Sequence, residues 1–331
     1  MSSELALPDP FMDIELPLDD RRVGKVRVSY QLGDDRRLFV TTDRLSAFDR
    51  IIAGIPYKGQ VLNELAAWWF QRTSGIIGNH VVDVPDPNVL VATATTPLPV
   101  EVVVRGAITG VTSTSLWKMY DDGARTIYGY HFPDGLRKNT LLPEPIVTPT
   151  TKPSAESGLH DEPITWAEVV DRGLVDRSVW DQVTSAAMDV FTEGQRVAAE
   201  AGLILADTKY EFGVTPAGDI LLIDEVHTPD SSRFWAAQSY EALVAAGDEP
   251  ESLDKEPMRV ALAAAGYRGD GPPPDLGPDV ISATSARYID AYERLTGGEL
   301  QRGAYPVAER IAGDLDRITG QSPQPDNRES A

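Results

Sequence analysis

LILADTKYEFGVTPAGDILLIDEVH, residues 203–227, predicts a β-hairpin. Two runs rich in apolar and β-branched residues flank PAGD (216–219), which has the composition of a turn. Successive side chains of a strand point to opposite faces, so Asp207, Lys209 and Glu211 share one face of the first strand. The hairpin therefore presents a line of charged groups along one side.

Two carboxylates are expected to face each other across this hairpin. If residues 217–218 form the centre of the turn, Glu211 lies opposite Asp224, although a slip of one residue would separate them. Directly opposed like charges destabilise a sheet unless something neutralises them, and a divalent cation shared with nucleotide phosphates would do so. The alternative interpretation is a solvated strand face on which Lys209 serves as the internal counterion.

A second hairpin is predicted over residues 23–42, and it begins with the motif GKVR. Lys25 and Arg27 project from one face of its first strand. A turn containing Gly24 lets backbone N–H groups approach phosphate oxygens, and the two cations add charge. The spacing is not that of a P-loop, so an ordinary surface hairpin is the alternative.

Two arginines stand in settings that suit an anion. Arg105 lies near the end of the predicted strand 100–106, on the face that carries Glu101 and opposite Val102 and Val104. The hydroxyl-rich stretch 109–117 follows it, and this stretch could help to bind a phosphate or simply cap the next element. Arg233 is placed in the first turn of a predicted helix, 231–247. An arginine there is unfavourable with the helix dipole unless an anion docks at the same end.

Composition excludes several classes of protein. The 331 residues carry 30 Lys+Arg against 51 Asp+Glu, a net charge of -21, which argues against a general nucleic-acid binder. Cysteine is absent and the four histidines are scattered, so a thiolate or histidine metal site is not expected and any metal should be a hard ion such as Mg²⁺. No membrane-length apolar run and no signal peptide are found, and we expect a soluble, cytoplasmic protein with no membrane partner.

Hairpins and helices without regular βαβ alternation indicate an α+β fold. The proline-punctuated connector TTPLP (95–99) suggests a boundary between an N-terminal β-rich lobe, 1–97, and a C-terminal α+β lobe, 98–319. Residues 320–331 have the composition of a disordered tail. The Pro- and Thr-rich stretch 131–165 is long for a loop in a compact domain, which indicates a functional or a disordered segment.

The order of seven motifs along the chain is more specific than any one of them. Together they resemble the phosphoribosylaminoimidazole-succinocarboxamide synthase (SAICAR synthetase) family, from about residue 20 to about residue 245. The motifs are GKVR, DRLSAFD, GIPYKGQVLNEL, VEVVVRG, LPEPIVTPTTK with HDEPIT, LADTKYEFG, and LLIDEVHTPDSSRFW.

The resemblance implies an ATP-dependent, amide-forming ligase of purine biosynthesis. Carboxyaminoimidazole ribotide (CAIR), L-aspartate and ATP would give the succinocarboxamide SAICAR, ADP and phosphate through an acyl phosphate. The implied fold is two-lobed, with a nucleotide cleft like those of ATP-grasp enzymes and kinases, and with C-terminal helices. ATP and Mg²⁺ are the expected co-substrate and metal, and the chain is expected to be a monomer or a small homo-oligomer.

The resemblance also assigns the nucleotide, metal and catalytic positions. The phosphate-binding residues would be Gly24, Lys25 and Arg27, with Glu101 near the nucleoside. The metal ligands would be Glu211 and Asp224, and the residues facing the imidazole carboxylate would be Asp207 and Lys209.

The remaining assignments concern CAIR and L-aspartate. The ribotide 5′-phosphate would be held by Arg105 and Arg233, with Ser115 or, alternatively, Ser113 supplying a hydroxyl from a loop that departs from the usual Gly-Ser-x-Trp pattern. The ribotide-side loop would contain Ser46 and Asp49, and the L-aspartate loop would contain Lys152, His160 and Asp161.

Two rival functions share part of this pattern. A small-molecule kinase on the same scaffold would need Lys25, Glu211 and Asp224 but not the paired arginines. A binding protein without activity would retain the fold, although the expected acidic and basic positions are all filled.

Overall fold

The computed structural model describes residues 7–47, 50–152, 161–253, 255–267, 269 and 271–320. Over these residues, no helix is both long and apolar enough to cross a membrane. Helices and antiparallel sheets are mixed along the chain, which confirms the α+β prediction.

The described chain forms sixteen strands and nine helices. The strands are β1 (Arg22–Val23), β2 (Arg27–Leu32), β3 (Arg36–Thr41), β4 (Arg44–Ala47), β5 (Arg50–Gly54), β6 (Val81–Asp86), β7 (Val89–Thr93), β8 (Thr96–Pro97), β9 (Val100–Ile108), β10 (Thr126–Ile127), β11 (Tyr130–His131), β12 (Thr140–Val147), β13 (Thr150–Thr151), β14 (Leu203–Val214), β15 (Ile220–Ile223) and β16 (Ser232–Ala236). The helices are α1 (Lys58–Thr73), α2 (Leu116–Asp121), α3 (Trp166–Asp171), α4 (Arg177–Glu200), α5 (Ala237–Ala246), α6 (Glu256–Ala264), α7 (Gly277–Thr296), α8 (Val307–Gly313) and α9 (Leu315–Thr319).

The N-terminal sheet has the strand order β1-β2-β3-β7-β6. The predicted hairpin is confirmed as β2 and β3, which pair from Arg27↔Thr41 to Leu32↔Arg36. Alternation sends Val28 to the outer face, where it packs with neighbouring strand residues and with α8 and α9. The opposite, inner face is left for the site described below.

The central sheet has the order β12-β9-β14-β15, with β13 beside β9 and with β8 and β16 beside β14. Along β9, Val102 and Val104 are fully buried in the largest hydrophobic cluster, together with α4. Glu101 and Arg105 lie on the other face of the strand, as the alternation predicted. The long strand β14 therefore lies inside the sheet, with β9 on one side and β15 and β16 on the other. It carries the charged residues Asp207, Lys209 and Glu211.

The C-terminal helices return to the N-terminal part of the chain. Helix α1 packs against α7 and contributes Trp69 and Phe70 to the cluster beneath the central sheet. Val307 and Ile311 of α8 complete the core of the N-terminal sheet. The proposed lobe boundary at residues 97 and 98 remains a prediction.

Two predicted elements differ in the structure. Residues 232–236 form strand β16, and the helix begins only at Ala237, so the expected helix 231–247 is wrong in its first turn. Pairing of β16 with β14 supplies backbone hydrogen bonds that outweigh the helical pattern. The stretch 131–165 is not all loop, because it contains β12, whose prolines are accommodated where the register with β9 shifts.

Candidate active site

The central hairpin has a register one residue away from the expected one. The turn spans residues 215–219, closed by a hydrogen bond from the N–H of Thr215 to the carbonyl of Asp219 at 2.9 Å. Because the turn has five residues instead of four, Glu211 pairs with Ile223. The prediction that Glu211 faces Asp224 across the ladder is therefore wrong.

Backbone conformation brings Asp224 to the site in another way. The residue follows the last residue of β15 with a left-handed φ of 67°, a conformation that Asp and Asn tolerate better than most residues. Its carboxylate accepts a hydrogen bond from the guanidinium of Arg27. Burial opposes ionisation of Asp224, but the cations of Arg27, Lys209 and Lys152 outweigh it and lower the pKa of the carboxyl.

A cavity of about 260 Å³ lies between the inner face of the N-terminal sheet and the central hairpin. Its walls are partly charged and partly apolar, as is usual for a site that binds a small molecule. Its charged lining residues are Arg22, Arg27, Arg37, Glu211 and Asp224, and its apolar ones include Phe39, Ala66, Leu90, Pro97 and Ile223. The structure thus brings Glu211 and Asp224 to one cavity despite the shifted register.

Lys209 links this cavity to the next part of β14. Its ammonium donates to Glu101 Oε1 at 2.7 Å and to Glu211 Oε1 at 3.0 Å, and Lys152 donates to the other oxygen of Glu211. Burial alone would lower the pKa of Lys209, but the carboxylates of Glu211, Glu101 and Asp224 raise it overall. The lysine is therefore a fixed cation and not a base.

Asp207 brings together the two arginines predicted to bind a phosphate. Its Oδ2 atom lies 2.6 Å from Arg233 Nη1 and 3.5 Å from Arg105 Nη1. Arg105 is almost fully buried and also donates to Thr148 Oγ1 at 2.7 Å and to the carbonyl of Thr114 at 3.0 Å. Arg233 reaches the site from a strand, β16, and not from the start of a helix as predicted.

The loop before α2 holds both candidate hydroxyls. Ser115 is buried and hydrogen-bonds Thr112 Oγ1 at 2.7 Å, whereas Ser113 is exposed. Gly110 adopts a left-handed φ of 91°, and a Cβ there would approach the Ser115 hydroxyl to 2.4 Å. The carbonyl of Thr114 contacts Arg105, so the loop sits beside the arginine pair, and the choice of serine remains a prediction.

The remaining predicted site residues lie in the turn before β2, in β4 and ahead of α3. Gly24 closes the turn before β2 through a 2.8 Å hydrogen bond to Arg27, and Lys25 is exposed in that turn. Ser46 lies in β4 and its carbonyl accepts a hydrogen bond from Lys255. Asp161 is exposed ahead of α3. Two further predicted residues, Asp49 and His160, and the tail from residue 321 lie outside the described residues.

Sequence reasoning missed several charged residues, two of which line the cavity. Arg22 and Arg37 line it, and their alternation with apolar residues of the first hairpin could have indicated this. Lys58 has a fully buried side chain and donates to Asp230 Oδ2 at 2.7 Å. Glu225, next to Asp224, is buried, and burial raises the pKa of its carboxyl.

The donor chemistry fits a magnesium ion shared with phosphates. Among the described residues, no group of three or more His, Asp or Glu side chains is arranged to hold a metal by itself. Mg²⁺ commonly uses only one or two carboxylates together with substrate phosphates, and Glu211 and Asp224 supply two carboxylates to one cavity. Their present partners, Arg27, Lys152 and Lys209, are cations of the same sign as the ion.

Comparison with known proteins decides the family. The model of the SAICAR synthetase family matches residues 21–273, more than two thirds of the chain. The chain belongs to the SAICAR synthetase family. SAICAR synthetase of Legionella pneumophila (strain Paris), named in full phosphoribosylaminoimidazole-succinocarboxamide synthase, is 45% identical over 318 residues, covering 95% of this chain and all of that protein.

Solved structures of SAICAR synthetases have the same fold. The SAICAR synthase of Saccharomyces cerevisiae complexed with SAICAR superposes with a TM-score of 0.77 at 35% identity, over 88% of this chain and all of that chain. A SAICAR synthetase in complex with ADP gives a TM-score of 0.65 at 26% identity, over 86% of this chain and all of that one. These comparisons confirm the family resemblance and the SAICAR synthetase-like α+β fold.

Proposed function

We propose that this chain joins CAIR to L-aspartate, using ATP, to give SAICAR, ADP and phosphate. Family membership makes it an ATP-dependent, amide-forming ligase of purine biosynthesis. The observation that carries the site assignment is the charged face of β14, where Asp207, Lys209 and Glu211 lie in line. Asp207 and Glu211 are four residues apart, which is about 14 Å of strand. This face of β14 therefore extends from the cavity for the nucleotide to the pair of arginines.

The nucleotide phosphates are assigned to the charged end of the cavity. Arg27 lines it, and the turn containing Gly24 and Lys25 lies directly before Arg27. Backbone N–H groups of a turn and nearby cations together favour phosphate oxygens. A contact from Glu101 to the nucleoside remains a prediction, since in the structure Glu101 accepts from Lys209 and Thr150.

Magnesium would be held by Glu211 and Asp224. When bound, the ion would neutralise the charge of the transferring phosphoryl group. Arg27, Lys152 and Lys209 pair with these carboxylates in the structure, and an ion bound to the carboxylates would make the three cations available to phosphate oxygens.

The chemistry requires a better leaving group on the CAIR carboxylate. A carboxylate is a poor electrophile, because attack by an amine would have to expel oxide. Transfer of the γ-phosphoryl group to the carboxylate oxygen breaks its bond to ADP and gives an acyl phosphate. The amine of L-aspartate then attacks the acyl carbon, phosphate leaves, and the amide forms with loss of a proton from nitrogen.

Lys209 lies between the two ends of the site and is assigned to the carboxylate that is phosphorylated. Its pKa is raised, so it stays cationic and can hold the carboxylate and the incoming phosphoryl oxygens together. Asp207 orients Arg105 and Arg233, which would bind the ribotide 5′-phosphate with Ser115 or Ser113. Holding the reactants in this order supplies much of the rate enhancement.

L-aspartate is assigned to the loop that follows β13. Lys152 reaches Glu211 from that loop, and Asp161 lies just beyond the part of it that the structure does not describe, which includes His160. Ser46 and Asp49 are assigned to the ribotide side of the cleft. A cytoplasmic location and a monomeric or small homo-oligomeric state remain predictions.

Purified protein with CAIR, L-aspartate, Mg²⁺ and ATP tests the proposal. We expect SAICAR to form, and steady-state ADP release to require both CAIR and L-aspartate. Lys209→Met should abolish turnover, whereas Lys118→Met, an exposed lysine paired only with Asp122 four residues on, should retain it. ADP release that ignores L-aspartate would instead favour the small-molecule kinase.

A further inference from the structure

Two arginines that the proposed mechanism does not use line the nucleotide cavity. Arg22 pairs with Ser29 across β1 and β2, and Phe39 pairs with Ser29 from β3. Cross-strand partners share a face of the sheet, and so do side chains two residues apart. Arg22 and Arg37 therefore belong to the same inner face as Arg27, displaced towards the turn between β2 and β3.

The guanidinium of Arg37 is held in one orientation. Its Nη1 donates to Asp20 Oδ2 at 2.7 Å, and its Nη2 donates to Ser29 Oγ at 3.0 Å and to the carbonyl of Asp20 at 3.1 Å. Arg22 pairs with the same carboxylate at 2.7 Å. Only 16% of the Arg37 side chain is exposed, so the flat group is fixed against the wall of the cavity before any ligand arrives.

Arg37 lies far from the phosphate end of the cavity. Arg27 pairs with Thr41, four residues along β3 from Arg37, a separation of about 14 Å of strand. The Arg37 end of β3 lies beside the connector between the two sheets, since the N–H of Ala94 donates to the carbonyl of Asp35 at 2.8 Å. With the phosphates at Arg27, the base of an extended nucleotide reaches this end.

We propose that Arg37 recognises the base of the nucleotide by stacking its guanidinium on the purine ring. A base held between the two sheets presents its face to each wall, and Ile223 of β15 lines the opposite wall. A planar guanidinium stacks on aromatic faces by cation–π and dispersion contacts, which an ammonium does not reproduce. The proposal rests on the nucleotide site proposed above and assigns Arg37 the selection of an aromatic base.

Binding of two ligands separates base recognition from phosphate recognition. Calorimetry with Mg²⁺ compares ADP, which has a base, with tripolyphosphate, which has none. Arg37→Leu should weaken ADP binding roughly three- to thirtyfold and leave tripolyphosphate binding within about twofold. Arg36→Leu is the matched control: it removes the same charge one residue away, on an exposed side chain of the opposite face, and should change neither affinity.

Further variants separate the possible failures. Arg37→Lys keeps the charge without the flat group and should bind ADP about as weakly as Arg37→Leu. Unchanged ADP affinity in Arg37→Leu, an equal loss for tripolyphosphate, or full affinity in Arg37→Lys would each overturn the inference.

Arg27→Met tests the proposed nucleotide site itself and should weaken the binding of both ligands. If it weakens neither, the nucleotide site is elsewhere, whereas if it weakens both while Arg37→Leu is silent, only the inference fails. Thermal unfolding without ligand shows that each variant is folded.

Discussion

Asp207 lies between two arginines that reach it from different strands. Arg105 comes from β9 and Arg233 from β16, and both pair with residue 207 across the ladder. Arg105, Asp207 and Arg233 together carry one net positive charge. This charge suits a phosphate that would take over some of the hydrogen bonds that the arginines now donate to Asp207. The carboxylate thus keeps both arginines oriented when no ligand is bound.

Arg233→Ala tests this arrangement at the level of one side chain. The KM for CAIR should rise about ten- to a hundredfold, since a charge-assisted phosphate contact is worth about 1.5–3 kcal/mol, and the KM for ATP should hardly change. Arg105→Ala should have the same kinetic effect and also lower stability, because Arg105 supports Thr148 and Thr114 as well. Steady-state kinetics with each substrate varied provide the check, and an equal rise for ATP would contradict the assignment.

The buried imidazole of His227 predicts that the free energy of unfolding decreases in acid. Burial without a charged partner in contact lowers the pKa of this imidazole to about 3, while Tyr210 OH hydrogen-bonds its Nε2 atom. The unfolded chain binds a proton below about pH 6.5 and the folded chain does not. The contribution of His227 is therefore fully present above pH 6.5 and is lost as the pH falls towards 3, by about 1.4 kcal/mol per unit.

The matched variant is His227→Asn. Asparagine does not titrate in this range and tolerates the left-handed φ of 48° at this position. Urea denaturation between pH 4.5 and 7.5 should show a slope of stability against pH that is smaller by about one proton in the variant. The variant should be less stable than the parent at pH 7.5, because it leaves a small cavity. Parallel curves would show that His227 already binds a proton when folded.

At the scale of elements, the turn of the central hairpin decides how the two acidic residues meet. Five turn residues move Asp224 out of the ladder position opposite Glu211, and a left-handed backbone then directs it to Arg27. Glu211 and Asp224 are each paired with cations, so removing either negative charge relieves no repulsion between directly opposed carboxylates and should not stabilise the protein.

Glu211→Gln and Asp224→Asn should each reduce turnover by orders of magnitude, because the phosphoryl charge loses a metal ligand. The double variant should be little worse than the worse single one, since residues of one functional unit are non-additive. Stability should fall by about 1–3 kcal/mol and not rise, because partly buried cations lose a charged partner. Asn fits the left-handed position of Asp224, so backbone strain adds nothing. Multiplicative losses of activity would place the metal elsewhere.

Across the whole molecule, a buried ion pair fastens α1 and α7 to the segment that leads to β16. Lys58 starts α1 and donates to Asp230, which also accepts a 2.5 Å hydrogen bond from Tyr288 OH of α7. Burial opposes ionisation of Asp230, but Lys58 and Lys255 keep the pKa of its carboxyl well below its usual range. Three distant parts of the chain thus meet at one carboxylate near Arg233.

Lys58→Met should lower the free energy of unfolding by about 3–5 kcal/mol, because it leaves a buried carboxylate with one fewer partner. Lys58→Met combined with Asp230→Asn should recover part of that loss, since the uncompensated charge is gone. Lys118→Met provides the control, because its exposed pair with Asp122 is worth only about 0.3–0.5 kcal/mol. Urea denaturation provides the measurement, and equal effects at the two lysines would rule out a special role for the buried pair.

The sequence by itself determined several local elements and the face that their residues take. The hairpin at residues 203–227, the first hairpin and the alternation along β9 follow from a period of two and from turn composition, which depend only on neighbours in the chain. The order of seven motifs was enough to indicate the family, which the comparisons confirm. Composition excluded thiolate chemistry because cysteine is absent.

Only the tertiary structure decided what depends on partners distant in sequence. The register of Glu211 needed the length of the turn, and Arg233 became a strand residue because β14 offered backbone hydrogen bonds to residues 232–236. The meeting of Lys58 with Asp230, and of Arg37 with the cavity, required sheets and helices to be packed first. A single sequence carries no signal for such contacts, because their free energy arises from burial and pairing that exist only in the assembled fold.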